Sequence, residues 1–506
     1  MNQGIIGRSH TATLLGIDAA AVEVEADLQG GEPGTIIVGL ADKAVAEAKE
    51  RVRSAIRSTG LRYHGHKVIV NLAPSDIRKE GSGHDLPIAA AILVAQGDLR
   101  EGATEDTLII GELALDGRVR RVDGALNVAL YCAEKKIPNL VVPMENAAEA
   151  AIVPGVNVYG VHELGDLLRH FNDTPLTPFR HETSGGVEDP VYHVDFSDVK
   201  GQRHAIRALE IVAAGGHNVI MTGPPGSGKT MLARRVVTIL PPLSLEESIE
   251  VTRIYSAAGQ KGEVQGLIWD RPFRTPHHTT SYAAVVGGGK YPKPGEVSLA
   301  HHGVLFLDEC PEFQRDVLEA LRQPLEDCVI TVSRVQASLT FPASCMLIAA
   351  MNPCPCGFKG YPEANCVGSP ATCGRYVQRL SGPLMDRIDL HITVPRLKPD
   401  ELMNVAPGEP SVSIRARVLD ARKRQSARLG GSRTNARMSP AEIRDLISLD
   451  SEGQEFIKQV AAKMNLSARV FDRILKVSRT IADLAGSDEV TKVHIGEAVQ
   501  YRERDG

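Results

Sequence analysis

The run Gly223-Pro-Pro-Gly-Ser-Gly-Lys229-Thr230 fits the spacing G-x-x-x-x-G-K-[ST], in which a glycine-rich turn offers successive backbone N–H groups to phosphate oxygens. Its flanks suit that use. Asn218 to Thr222 reads as a buried strand and Met231 to Leu240 as a helix, so the positive end of the helix dipole faces the anion. Gly223, Pro224, Pro225, Gly226, Ser227 and Gly228 form the cradle. Lys229 is placed to reach the β and γ phosphates of ATP, and the Thr230 hydroxyl to ligate Mg2+. A second half-site is required at the end of another buried strand, and Val304-Leu-Phe-Leu-Asp308-Glu309 supplies it. Asp308 suits the magnesium shell, and Glu309 suits orienting and polarising the attacking water. The alternatives are a glycine-rich turn with an incidental lysine and a solvated acidic pair capping the next helix. Two complementary motifs in one chain argue against both.

Two further polar residues stand where such chemistry needs them. Asn352 follows the apolar run Met346 to Ala350, and Arg387 lies in Leu384-Met-Asp-Arg-Ile-Asp389. Asn352 suits contact with the water or the γ phosphate, and Arg387 suits an arginine finger. A helix cap and a surface ion pair are the bland alternatives. Cys354, Cys356, Cys366 and Cys373 place four thiols within 20 residues of a Gly- and Pro-rich segment. Four soft ligands on a loop suit tetrahedral Zn2+, although C-x-C replaces the usual C-x-x-C, so free thiols stay open as an alternative. Cys132, Cys310, Cys328 and Cys345 lie in apolar contexts and read as packing residues.

The elements that must hold these groups follow from length and pattern. The chain has 506 residues, of which 43% are hydrophobic and 24% charged, which predicts a folded protein of about three domains. From residue 1 to 171, β-branched runs (Ala21 to Val24, Thr35 to Val38, Lys67 to Asn71, Thr107 to Ile110, Leu140 to Val142) alternate with amphipathic helical stretches, an α/β or α+β pattern. Residues 172–191 read as a linker. Buried runs at Asn218 to Thr222, Gly303 to Leu307, Met346 to Ala350 and Leu390 to Val394, with helices between them, predict a mostly parallel sheet across 192–395. Residues 396–506 read as a helical domain. Net charge is −5 and aromatics are 4%, so any nucleic-acid contact must be local rather than a global basic field or a stacking platform. Between Arg396 and Arg437 ten basic residues stand against four acidic ones, a solvated helical face or a polyanion-facing surface. No membrane span or signal peptide is legible, which predicts a cytoplasmic protein.

The phosphate loop, Leu305 to Glu309, Met351-Asn-Pro353 and Gly382 to Asp389 together resemble AAA+ ATPases of the magnesium-chelatase and MCM-like branch. Arg271-Pro-Phe-Arg-Thr-Pro-His-His-Thr279, Pro294 to His301, Asn352-Pro-Cys-Pro-Cys-Gly357 and Arg479 to Leu484 narrow the resemblance to the ComM/YifB family, linked to DNA branch migration in natural transformation. The resemblance implies an ATP-hydrolysing helicase or translocase, a homo-hexamer with ATP between subunits, Arg387 acting on the neighbour, and DNA and recombination proteins as partners. Ser467-Ala-Arg469 looks like the second sensor of such ATPases, which favours Arg469 over Arg473 and Arg479; a plain surface arginine is the alternative.

Lys229 and Asp308 stand 79 residues apart, too far for one helix, one strand and a crossover, so an insertion is expected. Gly287 to Lys290 and Lys293 to Gly295 form a basic turn shaped like a pore loop; a surface loop is the alternative. Val329 to Arg334 and Ala337 to Phe341 predict a hairpin with Arg334 at its tip, by resemblance the pre-sensor hairpin of DNA translocases. Lys290, Lys293 and Arg334, repeated by ring symmetry, would give a charged channel without a basic chain. The segment Arg271 to Thr279 has no derivable role.

In the amino-terminal region, Asn71 to Asp76, Lys79-Glu-Gly-Ser-Gly-His-Asp-Leu-Pro87 and Gly111 to Gly117 resemble the proteolytic domain of Lon, of ribosomal S5-like fold. Gly83 and Val128 stand where a Ser/Lys dyad would need its serine and lysine, with Ser82 one residue out of register, so the region reads as non-catalytic. The competing function is a related AAA+ motor that remodels a protein partner or assists metal insertion.

Overall fold

The computed structural model describes residues 6–39, 42–63, 67–79, 81–180, 192–260, 266–289, 292–334, 337–359, 366, 369–397 and 407–502. The chain divides into two compact units, one of residues 1–187 with 245–268 and one of residues 188–244 with 269–506. This partition differs from the sequence-based segments in two respects. Residues 245–268 lie inside the stretch 192–395 yet pack with the first unit, and the carboxy-terminal helices share one unit with the parallel sheet.

The first unit is built on a seven-stranded mixed sheet in the order Gly34–Val38, Lys67–Ala73, Asp18–Gln29, Gly7–Leu15, Thr107–Ile109, Asn139–Pro143, Asn157–Val161. The three pairings among the last four strands are parallel and the two flanking Asp18–Gln29 are antiparallel. Alternation makes Asp18–Gln29 a half-buried strand: Val22, Val24 and Ala26 face the core while their neighbours carry charge. The helix Asp85–Gln96 is apolar all round and correspondingly buried over Asp85 to Val94. Its buried Asp85 carboxylate is held by Arg51 at 2.6 and 2.9 Å and by the Leu113 N–H. The helix Leu245–Ala258 closes this unit against Ala125–Lys135: the Gly124 N–H donates to Ser256, and Asn127 donates to the carbonyls of Ile17 and Arg253. Gly83 and Val128 lie in the backbone turn and the buried helix face. Ser82 donates to Glu112, and buried Lys79 donates to the Pro74 carbonyl, so neither is half of a Ser/Lys pair.

The second unit holds a five-stranded sheet in the order Phe273–Arg274, Val304–Leu307, Met346–Met351, Val219–Thr222, Leu390–Thr393. Every pairing is parallel, and the three central strands carry apolar residues on both faces, as a sheet covered by helices requires. The order places the first strand in the sequence between the fourth and the fifth, so the chain reverses direction around the strand that carries the phosphate loop, the position where open α/β sheets bind ligands. The helices Ser411–Leu429, Ala468–Leu484 and Lys492–Gln500 pack onto this core through Ile414, Val418, Ile474, Ile481 and Ile495. Most of the basic run on Ser411–Leu429 is committed locally: Arg417 to Glu210 and Glu409, Lys423 to Asp420, Arg424 to Asp488 and Arg428 to Asp483. The excess is a laced helix surface rather than a free polyanion patch. No helix among the described residues is long and apolar enough to cross a membrane.

Candidate active site

Three neighbouring parallel strands end side by side and deliver the site. Val219–Thr222 runs into the phosphate loop, Val304–Leu307 into Asp308 and Glu309, and Met346–Met351 into Asn352. Gly226 and Gly228 have φ of 73° and 92°, a left-handed backbone that glycine alone adopts freely. At Gly223 an added Cβ would lie 2.2 Å from the Val394 carbonyl, whereas at Gly226 it would meet nothing within 4 Å. The loop is therefore packed at its base and open at its crest.

Lys229 begins the helix Lys229–Ile239 and is buried at 8% exposure. Its ammonium donates to the carbonyls of Gly223 (2.7 Å) and Pro224 (3.0 Å) and to Asn352 Oδ1 (3.2 Å). Burial lowers its pKa from the ordinary lysine value, opposed by the carboxylates of Asp308 and Glu309. Thr230 Oγ1 donates to Asp308 Oδ2 at 2.7 Å. A hydroxyl and a carboxylate are the hard oxygen donors that Mg2+ accepts. Among the described residues Ser227 Oγ is buried without a hydrogen-bond partner, an orphaned donor at the base of the loop, which fits a phosphate oxygen. Glu309 is half-exposed with φ of 50°, a left-handed conformation uncommon for a residue with a side chain.

The segment Arg271 to Thr279, which had no role in the sequence, now has one. Arg271 donates to the carbonyls of Pro241, Pro242 and His302, and Arg274 grips both oxygens of Glu296 at 2.6 and 2.7 Å. These bonds fix a turn that brings His278 Nδ1 to 3.6 Å from Glu309 Oε2. A two-residue strand, Phe273–Arg274, positions this turn, and so short an element leaves no periodicity to detect.

Arg387 is turned into its own chain. It is 6% exposed, pairs with Glu326 at 2.7 Å and donates to the Pro383 carbonyl, with Nε unpartnered. Its neighbour Asp389 is buried and held well below the usual carboxylate range: burial opposes this, while Arg473, His217 and the Asn218 N–H stabilise the anion. Arg473 and Arg479 are both engaged, with Asp389 and Asp483 respectively. Arg469 is exposed on the first turn of Ala468–Leu484, capped by Ser467.

The insertion expected between Lys229 and Asp308 includes the helix Tyr282–Val286 and the small hairpin Gly287–Gly288 with Lys293–Pro294. The second hairpin, Val329–Arg334 with Ala337–Pro342, is antiparallel and pairs Arg334 with Ala337. The two hairpins adjoin, since a Cβ at Gly287 would sit 3.7 Å from Val332. Lys293 is exposed in the first hairpin; Lys290 and the side chain of Arg334 lie outside the described residues. Cys354, Cys356 and Cys366 come together with Sγ separations of 3.3 to 3.7 Å, and Cys373 reaches this group at Cys366, 3.7 Å away. Cys132, Cys310 and Cys345 are buried, and burial pushes each thiol up to about 12.

Comparison with known proteins agrees with this geometry. The family "Magnesium chelatase, subunit ChlI" matches residues 195–402, its carboxy-terminal companion matches 408–502, and "Subunit ChlI of Mg-chelatase" matches 24–146. The chain is 43% identical to the protein YifB of Escherichia coli over 98% of this chain and 97% of that one. It is also 43% identical to the competence protein ComM of Haemophilus influenzae, covering 96% of each. A shorter likeness, 31% identity over 28% of this chain and 27% of the other, links it to Lon protease 2 of Bacillus subtilis. The chain therefore belongs to the ComM/YifB family of magnesium-chelatase-like AAA+ proteins.

Proposed function

We propose that this protein is a cytoplasmic, ATP-hydrolysing homo-hexameric motor that moves branched or single-stranded DNA and promotes branch migration during recombination of incoming DNA. The observation that carries the ATPase half is the convergence of Lys229, Thr230, Asp308, Glu309 and Asn352 at the ends of three adjacent strands. The DNA half is supported by the competence relative from H. influenzae and by two adjoining hairpins that carry Lys293 and Arg334.

In the mechanism this reading implies, Lys229 exchanges the Gly223 and Pro224 carbonyls for phosphate oxygens, so the loop is preformed around an internal stand-in. Mg2+ supplies charge neutralisation between phosphate oxygens when bound, and Thr230 and Asp308 are the residues that would hold it. Glu309 accepts a hydrogen bond from the attacking water and keeps it in line. Asn352, already bonded to Lys229, senses the γ phosphate. Arg387 acts on the neighbouring subunit's nucleotide after exchanging its Glu326 partner, and Arg469 contributes from the helical lid. Cys354, Cys356, Cys366 and Cys373 hold Zn2+.

The second reading, a motor that remodels a protein or assists metal insertion, is favoured by the magnesium-chelatase likeness alone. A branch-migration and helicase assay on the wild type beside Glu309→Gln separates the two. The expected result is DNA-stimulated hydrolysis and strand movement by the wild type, and ATP and DNA binding without movement by the variant. Hydrolysis indifferent to forked, single-stranded and four-way DNA, with no binding to any of them, overturns the DNA reading.

A further inference from the structure

The cysteine cluster is attached to the nucleotide site at three places. First, Gly357, with φ of 85°, carries the backbone so close to the phosphate loop that an added Cβ would lie 2.4 Å from Pro225 Cδ. Second, Cys373 lies in the helix Pro370–Val377, and one turn on stands buried Tyr376, whose phenol is near enough to the Asn352 backbone N–H for that group to favour its ionised form against the opposing effect of burial. Third, Arg379, just past that helix, donates to Glu312 at 2.6 Å and to the Pro311 carbonyl at 3.2 Å, in the turn that follows Asp308 and Glu309. The phosphate loop, the γ-phosphate sensor and the water-orienting segment thus all lean on one short excursion of chain.

The described part of that excursion is a turn at 354–359, Cys366 alone, and an eight-residue helix. The separations Cys354 to Cys356, Cys356 to Cys366, Cys354 to Cys366 and Cys366 to Cys373 are 3.3, 3.4, 3.7 and 3.7 Å. Four sulfurs about 2.3 Å from one tetrahedral ion lie about 3.8 Å apart; Cys354, Cys356 and Cys366 are mutually about that close, and Cys373 comes as close to Cys366 alone. Two details suit thiolates. The Lys359 N–H donates to Cys354 Sγ at 3.2 Å, and Cys373 sits in the first turns of a Ser369-capped helix, whose dipole favours negative charge. Such outer contacts orient metal-bound ligands.

We propose that Cys354, Cys356, Cys366 and Cys373 form a mononuclear tetrathiolate Zn2+ site that positions Asn352 and the phosphate loop, so that the metal governs the rate of ATP hydrolysis rather than nucleotide binding. The inference rests on the ATPase reading for its consequence and on the sulfur geometry for the site. Tyr376 and Gly357 are positioning residues, acting through Asn352 and Pro225.

The test uses the full-length protein. Elemental analysis should find one zinc and no iron per chain, released on thiol modification. Cys356→Ser and Cys366→Ser should lose the metal. Tyr376→Phe should keep one zinc and the wild-type melting temperature, bind a fluorescent ATP analogue with an unchanged Kd, and lower kcat about tenfold, the scale of outer-contact losses at metal sites. Because that variant leaves the four thiols intact, it remains informative if the serine variants fail to fold. A metal-free wild type overturns the site. A zinc-free serine variant that hydrolyses ATP at the wild-type rate overturns the coupling, as does wild-type kcat in Tyr376→Phe. Failure of the ATPase reading itself would appear separately, as a zinc-loaded wild type that does not bind the ATP analogue.

Discussion

Thr230 Oγ1 donates a 2.7 Å hydrogen bond to Asp308 Oδ2 across 78 residues of sequence. The hydroxyl comes from the helix that follows one strand and the carboxylate from the end of another, with the strand Met346–Met351 lying between the two. Each occupies the other's place for a cation, so the pair is preorganised without it.

Because the two residues act as one unit, their losses should not add. Thr230→Ala and Asp308→Asn are each expected to lower kcat about 100-fold, a typical cost of a misplaced reacting group. The double variant should be little worse than the poorer single. Steady-state hydrolysis of the three proteins checks this, and multiplicative losses would count against a shared ligand pair.

Glu309→Gln and Lys229→Ala should fail differently. The first removes a water-orienting carboxylate and is expected to lower kcat by 10² to 10⁴-fold, roughly the range for positioned acid–base groups, with nucleotide still bound. The second removes the phosphate-binding ammonium and should abolish binding of a fluorescent ATP analogue.

Arg387 is occupied by Glu326, whose short helix Arg322–Asp327 also holds the hairpin through Gln323 and the Thr331 N–H. A role in trans gives a clear mixing experiment. Lys229→Ala chains and Arg387→Ala chains, each inactive alone, should regain hydrolysis when combined, since a Lys229→Ala chain can lend its arginine to a neighbour's intact site. No recovery would place Arg387 in its own subunit's structure.

His278 stands behind Glu309 at 3.6 Å. His278→Ala should lower kcat about tenfold with little change in KM, the pattern of an interaction made only at the transition state. An equal change in KM would mean the turn simply supports the nucleotide pocket.

In the first unit, burial pushes the fully buried His84 down from 6.5 to about 4, with Asp42 opposing the shift and Lys79 adding to it. Between those values the unfolded chain binds a proton that the folded one does not, so stability falls as pH drops from 6.5 toward 4 and is fully present above 6.5. At pH 5 the loss is about 2 kcal/mol. Melting curves at pH 7.5 and 5 should differ for the wild type and converge for His84→Gln.

The candidate nucleotide site was legible because phosphate chemistry constrains spacing tightly. The loop Gly223 to Thr230, the strand ending at Asp308 and the hairpin at Val329 to Arg334 all fall where their patterns place them. What escaped were contacts between segments with no fixed spacing. His278 depends on a strand of two residues, Tyr376 on an eight-residue helix, and Glu326 on a turn of helix that offers no motif. The ion pairs of the helix Ser411–Leu429 were equally hidden, since composition counts charges and cannot see the acidic partners at Glu210, Asp483 and Asp488.

The helix Leu245–Ala258 belongs to the first unit but is encoded after the phosphate loop. On a ribosome, domains that emerge early can usually fold before later ones are made. Here that order is interrupted. Asn127 and Gly124 gain their partners at Arg253 and Ser256 only when those residues have left the exit tunnel, by which time Gly223 to Thr230 has already been synthesised. Completion of the amino-terminal unit thereby waits on synthesis of the segment that carries the phosphate loop, and no single cut in the chain separates the two units without leaving one of them unfinished.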